Sequence, residues 1–345
     1  MKSRGSLLVF LCFVAVMSIA PNGNAQPAPG YHFLKKFVLG GEGRWDYITS
    51  DSDAHRLYIS RSTHVMVVDS ESGAIVGDIP NTLGVHGVAL APEFGKGFTS
   101  NGRDASVTIF DLKTLKIIGQ VKVGQNPDAI VYDEPSKRIF TFNGTSKDAT
   151  AVDAKTGAVA GTLALGGRPE SGVADGRGKI FVNIEDRGQV IEFDSRKLVI
   201  NATWPLAPGE EPTGISMDRK HRRLFVGCAN KLLAVMNADN GKLVMTLPIG
   251  AGVDATAFDP KTQLAFSSNG EGTLTIIHED TPGKFSVVEN VATQRGARTM
   301  ALDPKTHKVF LITAEFGPSP APTTEQPRPR PTVVPGSFTL LVFGR

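Results

Sequence analysis

The sequence predicts an all-β fold, a seven-bladed β-propeller of four-stranded antiparallel blades, closed by the N-terminal strand completing the last blade. Three observations carry this. A segment of similar cadence returns seven times at an interval of roughly forty residues, the mark of a repeat architecture. Each segment divides into short apolar and β-branched runs separated by clusters of Gly, Pro, Asn and Asp, the pattern of strands joined by hairpins rather than of helices. The last unit lacks its fourth run, and a spare run stands at the other end of the chain.

The elements follow in order. Residues 1–25 read as a signal peptide. Lys2 and Arg4 precede an apolar stretch from Leu7 to Ala20, and Gly23 and Ala25 supply the small-x-small pattern of a cleavage site. The stretch is short for a membrane span, which needs about 20 residues, and no later segment is long and apolar enough for one. An exported protein, periplasmic or secreted, is expected. Loss of Lys2 and Arg4, with no acid in residues 1–25, takes the net charge from +3 to +1. That balance provides no global attraction to nucleic acid or anionic lipid. Only Cys228 remains after cleavage, so an internal disulfide, a cysteine zinc site and a c-type haem attachment are excluded. With the period running throughout and no linker between halves, residues 31–345 form one domain, expected to be a monomer.

The third unit shows the blade. Ala129–Tyr132 is a first run, Arg138–Phe142 a second, Ala149–Val152 a third and Ala158–Leu165 a fourth, with turns at residues 133–137, 143–144 and 153–157. In the seventh unit the third run is Ser337–Phe343 and the chain stops at Arg345. The missing run is supplied by His32–Leu39, a joint that leaves no open sheet edge.

Arg56-Leu57-Tyr58-Ile59-Ser60, Arg138-Ile139-Phe140-Thr141-Phe142-Asn143 and Arg223-Leu224-Phe225-Val226, with segments such as Val65–Gly73, resemble the core of the YVTN-repeat propellers. The exported YncE-like subgroup is the most similar. The resemblance covers residues 31 to 345 and implies the fold, whereas a propeller hosts many unrelated activities.

Function is sought where the units differ. One face should carry near-interchangeable turns, such as Asp153–Gly157 and Asn237–Gly241, whose residues turn geometry alone explains. His55, His221 and His307 fall among these turns and are expected to be solvated. On the other face, the residue ahead of each first run is Asp46, His86, Asp128, Glu170, Thr213, Asp254 and Arg298 in turn. These anchors should converge at the mouth of the channel. Carboxylates with one imidazole and one guanidinium suit a polar or cationic small ligand, with Arg298 taking an anionic part. Glu185 and Glu271 lie in the second loop set on this face, as do Asn101, Asn143, Asn183, Asn269 and Glu315. Trp45 stands where other units place Pro or a small residue, suited to stacking on a ligand or to core packing. Each Asp and Asn is also open to the plainer role of accepting or donating loop hydrogen bonds.

The leading functional expectation is a scaffold binding a polar small molecule or a protein partner at the channel mouth. The alternative is a lactonase-like hydrolase or lyase with His86 as base, Asp46 or Asp128 orienting it and Arg298 stabilising an anion. The sequence names no cofactor, and no metal is assigned, since groups spread around a channel are widely spaced for one ion. Nucleic acid fits poorly with the neutral charge and few exposed aromatics. Residues 317–336 form a Pro-rich insertion in the last blade, suited to a lid, a docking arm or an unstructured loop.

Overall fold

A computed structural model describes residues 30–41, 43–320, 323 and 331–345; the signal peptide expected at residues 1–25 and the centre of the Pro-rich insertion lie outside the described residues. Seven four-stranded antiparallel sheets follow one another along the chain. Blade 1 runs from Ile48–Asp51 at the centre, through Arg56–Ser60 and Val65–Asp69, to Ile75–Ile79 at the rim. Blades 2 to 6 repeat the order. In blade 3 the strands are Pro127–Asp133, Arg138–Asn143, Asp148–Asp153 and Val159–Ala164, within a few residues of the runs expected from sequence.

Blade 7 combines Met300–Leu302, Val309–Thr313 and Thr339–Gly344 with His32–Val38 as its outer strand. The register runs from His32 opposite Gly344 to Val38 opposite Thr339. A buried arginine secures this joint to blade 1. Arg61 is 1% exposed and donates to the carbonyls of Gly40 (3.0 Å) and Gly43 (3.1 Å), and its guanidinium lies 3.7 Å from the centre of the Phe338 ring. Desolvation of that charge is offset by hydrogen bonds and by the aromatic face.

The core lies between blades, because the middle strands are apolar on both faces and bury them against two neighbours. Phe140 of blade 3 meets Phe193 of blade 4 edge to face at 5.5 Å, within a cluster drawn from both sheets. Rim strands alternate instead, exposing Ile75, Ile117 and Val159. Near the axis the inner strands approach closely: a Cβ on Gly214 would meet the Ala255–Thr256 backbone of the next blade at under 3.0 Å. Small residues at this level let seven sheets converge.

Removing residues 30–38 should unpair the Thr339–Gly344 edge. The expected result is a melting temperature lower by at least about 10 °C, with soluble oligomers appearing on size-exclusion chromatography. A monomer that melts like the full domain would show that closure does not depend on this strand.

Candidate functional site

The anchors owe their positions to a local irregularity that recurs. In blades 2 to 6 the anchor is the second residue of the inner strand, and pairing with the next strand slips immediately around it: between Val85 and Val88, Pro127 and Ile130, Pro169 and Gly172, Pro212 and Ile215, Val253 and Ala255. A bulge puts extra backbone on one strand and re-aims the side chains there. Hydroxyl groups then fix the bulged backbone across blades. Ser60 donates to the carbonyl of His86 (2.5 Å), Ser100 to that of Asp128, Ser171 to that of Thr213, and Ser268 to that of Arg298. Thr299 of blade 7 donates to the carbonyl of Asp46 (2.9 Å), carrying the ties across the closing seam.

The ring that results is electrically uneven. His86 stands between Asp46 and Asp128, with Nδ1 2.6 Å from Asp46 Oδ2 and 3.6 Å from Asp128 Oδ1. Arg298 stands between Asp254 (3.3 Å) and Asp46 (3.9 Å). Asp46 thus serves both cations of the ring, while Asp128, Glu170 and Asp254 crowd the other side. Glu185 joins them from the second loop set, held by Arg168 at 2.5 Å and sharing a hydrogen bond with Glu170.

Burial and mutual repulsion favour the neutral forms of these acids. Asp254 is pushed up to about 7, chiefly by burial, with Arg298 opposing and Asp46 and Asp128 adding to the rise. Burial also raises Asp128, against the pull of His86. Glu170 is raised by burial, then by Asp128 and Glu185, which favours a protonated Glu170 donating to Glu185. Burial alone would lower the pKa of His86, but the hydrogen bond to Asp46 and the charge of Asp128 outweigh it and the net shift is upward. The opposite face behaves inversely. Hydrogen bonds from Ser72, Thr114, Thr156 and Lys197 lower the pKa values of Asp69, Asp111, Asp153 and Asp194, as expected of turn caps.

Tyr47 is the residue that sequence reasoning missed. Its side chain leaves blade 1 and packs against the cluster between blades 3 and 4, crossing the channel. It lines a central cavity of ≈ 160 Å³ together with Gly87, Ala129, Ser171, Gly214 and Asp254. Burial, then Asp128, Glu170, Asp254 and Asp46, raise its phenol well above the usual range, so it stays protonated and can donate to the ring. The signal was available: the residue after the anchor is Tyr47 in the first unit and Gly, Ala, Ser, Gly, Ala and Thr in the others.

The remaining candidates divide. Trp45 packs on Phe316 and Phe338 and also lines a second cavity beside the ring. Glu271 is exposed and turns back on its own blade, accepting from Thr273 Oγ1 at 3.2 Å. Thr213 donates to the Val253 carbonyl at 3.0 Å. Buried Asn101, Asn143 and Asn269 brace their own hairpins through hydroxyls such as Thr108, Thr150 and Thr275, and Asn183 donates to the Thr213 carbonyl. Cys228 is buried and its thiol is pushed up to about 12 by burial, the inert state expected of it. His307 departs from expectation, being mostly enclosed with Nδ1 2.6 Å from Asp259. The spacing argument against a single metal ion also fails for Asp46, His86 and Asp128, whose donor atoms all lie within 4.8 Å of one another.

No protein-family model matches the chain, and no curated protein matches it in sequence. Solved structures match its fold. A structure of U3-55K aligns with a TM-score of 0.73 at 9% identity, over 90% of this chain and 99% of that one. The WD40 repeats of RRP9 align at 0.73 and 9%, over 89% and 96%. A chain from a mitotic checkpoint complex aligns at 0.72 and 14%, over 97% and 99%. At these identities the likeness is one of fold.

The ring makes stability depend on pH with a definite sign. An acid whose pKa is raised in the folded state binds more protons there than in the unfolded chain, so stability falls as pH rises, for Asp254 from its ordinary value near 3.8 to about 7. His86, also raised, contributes stability at low pH that is lost as pH climbs through its folded value, in the same direction. Glu170→Gln keeps the shape and donor of the neutral acid without its charge. It should melt about 3–8 °C above wild type near pH 8, with the difference vanishing near pH 4.5, by calorimetry across pH. An unchanged melting temperature near pH 8 would contradict the raised pKa.

Proposed function

We propose that this is an exported propeller of the YVTN type that holds an organic cation at the channel mouth, either a free small molecule or a basic side chain offered by a protein partner. The observation that supports this most directly is the imbalance of the ring. Five carboxyl groups, Asp46, Asp128, Glu170, Glu185 and Asp254, face three cations, of which His86 and Arg298 both lean on Asp46 and Arg168 holds Glu185. An ammonium or guanidinium group over blades 3 to 6 would let the crowded acids ionise and would replace protons that they otherwise retain. Tyr47 beside them gives the bound cation an aromatic face and a phenol dipole. The apolar leader at residues 7–20 supports export. One of the similar propellers was solved within a mitotic checkpoint complex, so a protein partner is in keeping with how that chain is found.

One observation favours a second reading. The 2.6 Å bond from His86 Nδ1 to Asp46 orients an imidazole at a mouth, the arrangement of a general base in a hydrolase or lyase. In that case His86→Asn would abolish turnover of a lactone while leaving the melting temperature within about 2 °C.

The cation reading is tested with 1,5-diaminopentane. At about one hundred times its Kd it should stabilise the fold by about 2.7 kcal/mol, a rise in melting temperature of roughly 5 °C. The combined Asp128→Asn and Asp254→Asn variant should lose that rise. Binding should also release protons, measurable by calorimetry in buffers of different ionisation enthalpy. Absence of any shift from ammonium or guanidinium compounds would remove the cation from the site.

A further inference from the structure

Beside the ring, at the seam where blades 6, 7 and 1 meet, a cavity of ≈ 280 Å³ opens with the opposite electrostatic character. Its apolar side is formed by Trp45 and Phe316, whose ring centres lie 6.1 Å apart, with Pro331 and Val333 completing the wall. Its polar side is formed by Arg44, Arg295 and Arg298. The wall is built rather than incidental. Phe316 and Val333 pair as an antiparallel bridge, and Gly317 N–H to Thr332 O and Val334 N–H to Glu315 O, both 2.9 Å, pin the two ends of the Pro-rich insertion together. Gly296, at φ +82°, lies against the Phe316 ring, where a Cβ would come within 2.6 Å. Only glycine allows both that conformation and that approach.

The three guanidinium groups are not equivalent. Arg298 is committed to Asp254 and Asp46. Arg44 and Arg295 are exposed and make no ion pair with any acid among the described residues. Two uncommitted guanidiniums beside an aromatic wall suit a flat ligand that carries a carboxylate: the ring lies on Trp45 and Phe316, and the carboxylate accepts paired N–H bonds. The same groups repel a cation of equal shape. We infer that this seam cavity is a binding site for a planar aromatic carboxylate, separate from the cation site of the ring. The inference does not rest on the cation reading, since Arg44 and Arg295 take no part in the ring.

Trp45 provides the measurement. Trp204 is the other tryptophan, on the rim strand of blade 4 against Phe181, so Trp204→Phe leaves Trp45 as the sole reporter. In that background benzoate should change Trp45 fluorescence saturably, with a Kd of about 1–10 mM as befits its size. Benzylammonium, of similar shape and opposite charge, should give no saturable change. Arg44→Gln with Arg295→Gln should weaken benzoate at least about tenfold. Both residues are exposed, so folding should be unaffected, and circular dichroism checks this. Arg44→Glu with Arg295→Glu should exchange the preference, so that benzylammonium saturates and benzoate does not. The inference is overturned by any of three results: no saturable response to benzoate, an equal response to both probes in the parent, or a benzoate response that survives the loss of both arginines. Loss of cation binding by the ring would not bear on it, because neither probe response is read from the ring.

Discussion

The bulge at the head of the inner strand is the feature on which the site depends. A regular antiparallel ladder would send alternate side chains up and down between neighbouring blades. Slippage of pairing around His86, Asp128, Glu170, Thr213 and Asp254 instead frees each anchor from the ladder at the level where seven strands converge. Freed backbone would be mobile, and at His86, Asp128 and Thr213 it is tied through the anchor carbonyl to a hydroxyl of the neighbouring blade, as are the Arg298 and Asp46 carbonyls. Because each tie crosses a blade boundary, ring geometry and ring closure are the same problem. Arg61, buried at the joint of the first and last blades, serves that closure.

The two faces then treat one residue type in opposite ways. Asp69, Asp111, Asp153 and Asp194 accept hydrogen bonds in exposed turns, which favour the carboxylate. Asp128, Glu170 and Asp254 are enclosed beside one another and near Tyr47, which favours the acid. Stability gained on the first face is local and repeats with the turns. On the second it is forfeited as pH rises, the usual signature of groups positioned for a ligand rather than for the fold. The seam cavity extends this asymmetry. It lies where the repeat is broken by the insertion, whose flanks add Phe316, Pro331 and Val333 to its wall.

Much of the architecture was legible because it rests on local chemistry. Hairpin turns need particular residues at particular places, and seven recurrences of apolar runs between turn clusters drawn from Asp, Asn, Pro and Gly declare the period, the strand order and the joint of His32–Val38 with Thr339–Gly344. Comparing the units also isolated the anchors, and the same comparison moved one position along would have isolated Tyr47. Glu271 shows the limit of that method: it occupies the same loop set as Glu185, yet one turns back to Thr273 and the other reaches Glu170. His307 likewise sits in an ordinary turn by sequence and is enclosed by Asp259 of the preceding blade.

By itself, then, the sequence determined the seven blades, the closing strand and the roster of unequal residues on one face, since each follows from neighbours within a few positions along the chain. Which of those residues meet was decided only by tertiary structure. Asp46 and His86 are a blade apart, Arg298 reaches Asp46 across the closed ring, and Tyr47 spans the channel to blades 3 and 4. These encounters depend on bulges and blade packing, whose geometry is set by residues far apart in the chain, and no local pattern records it.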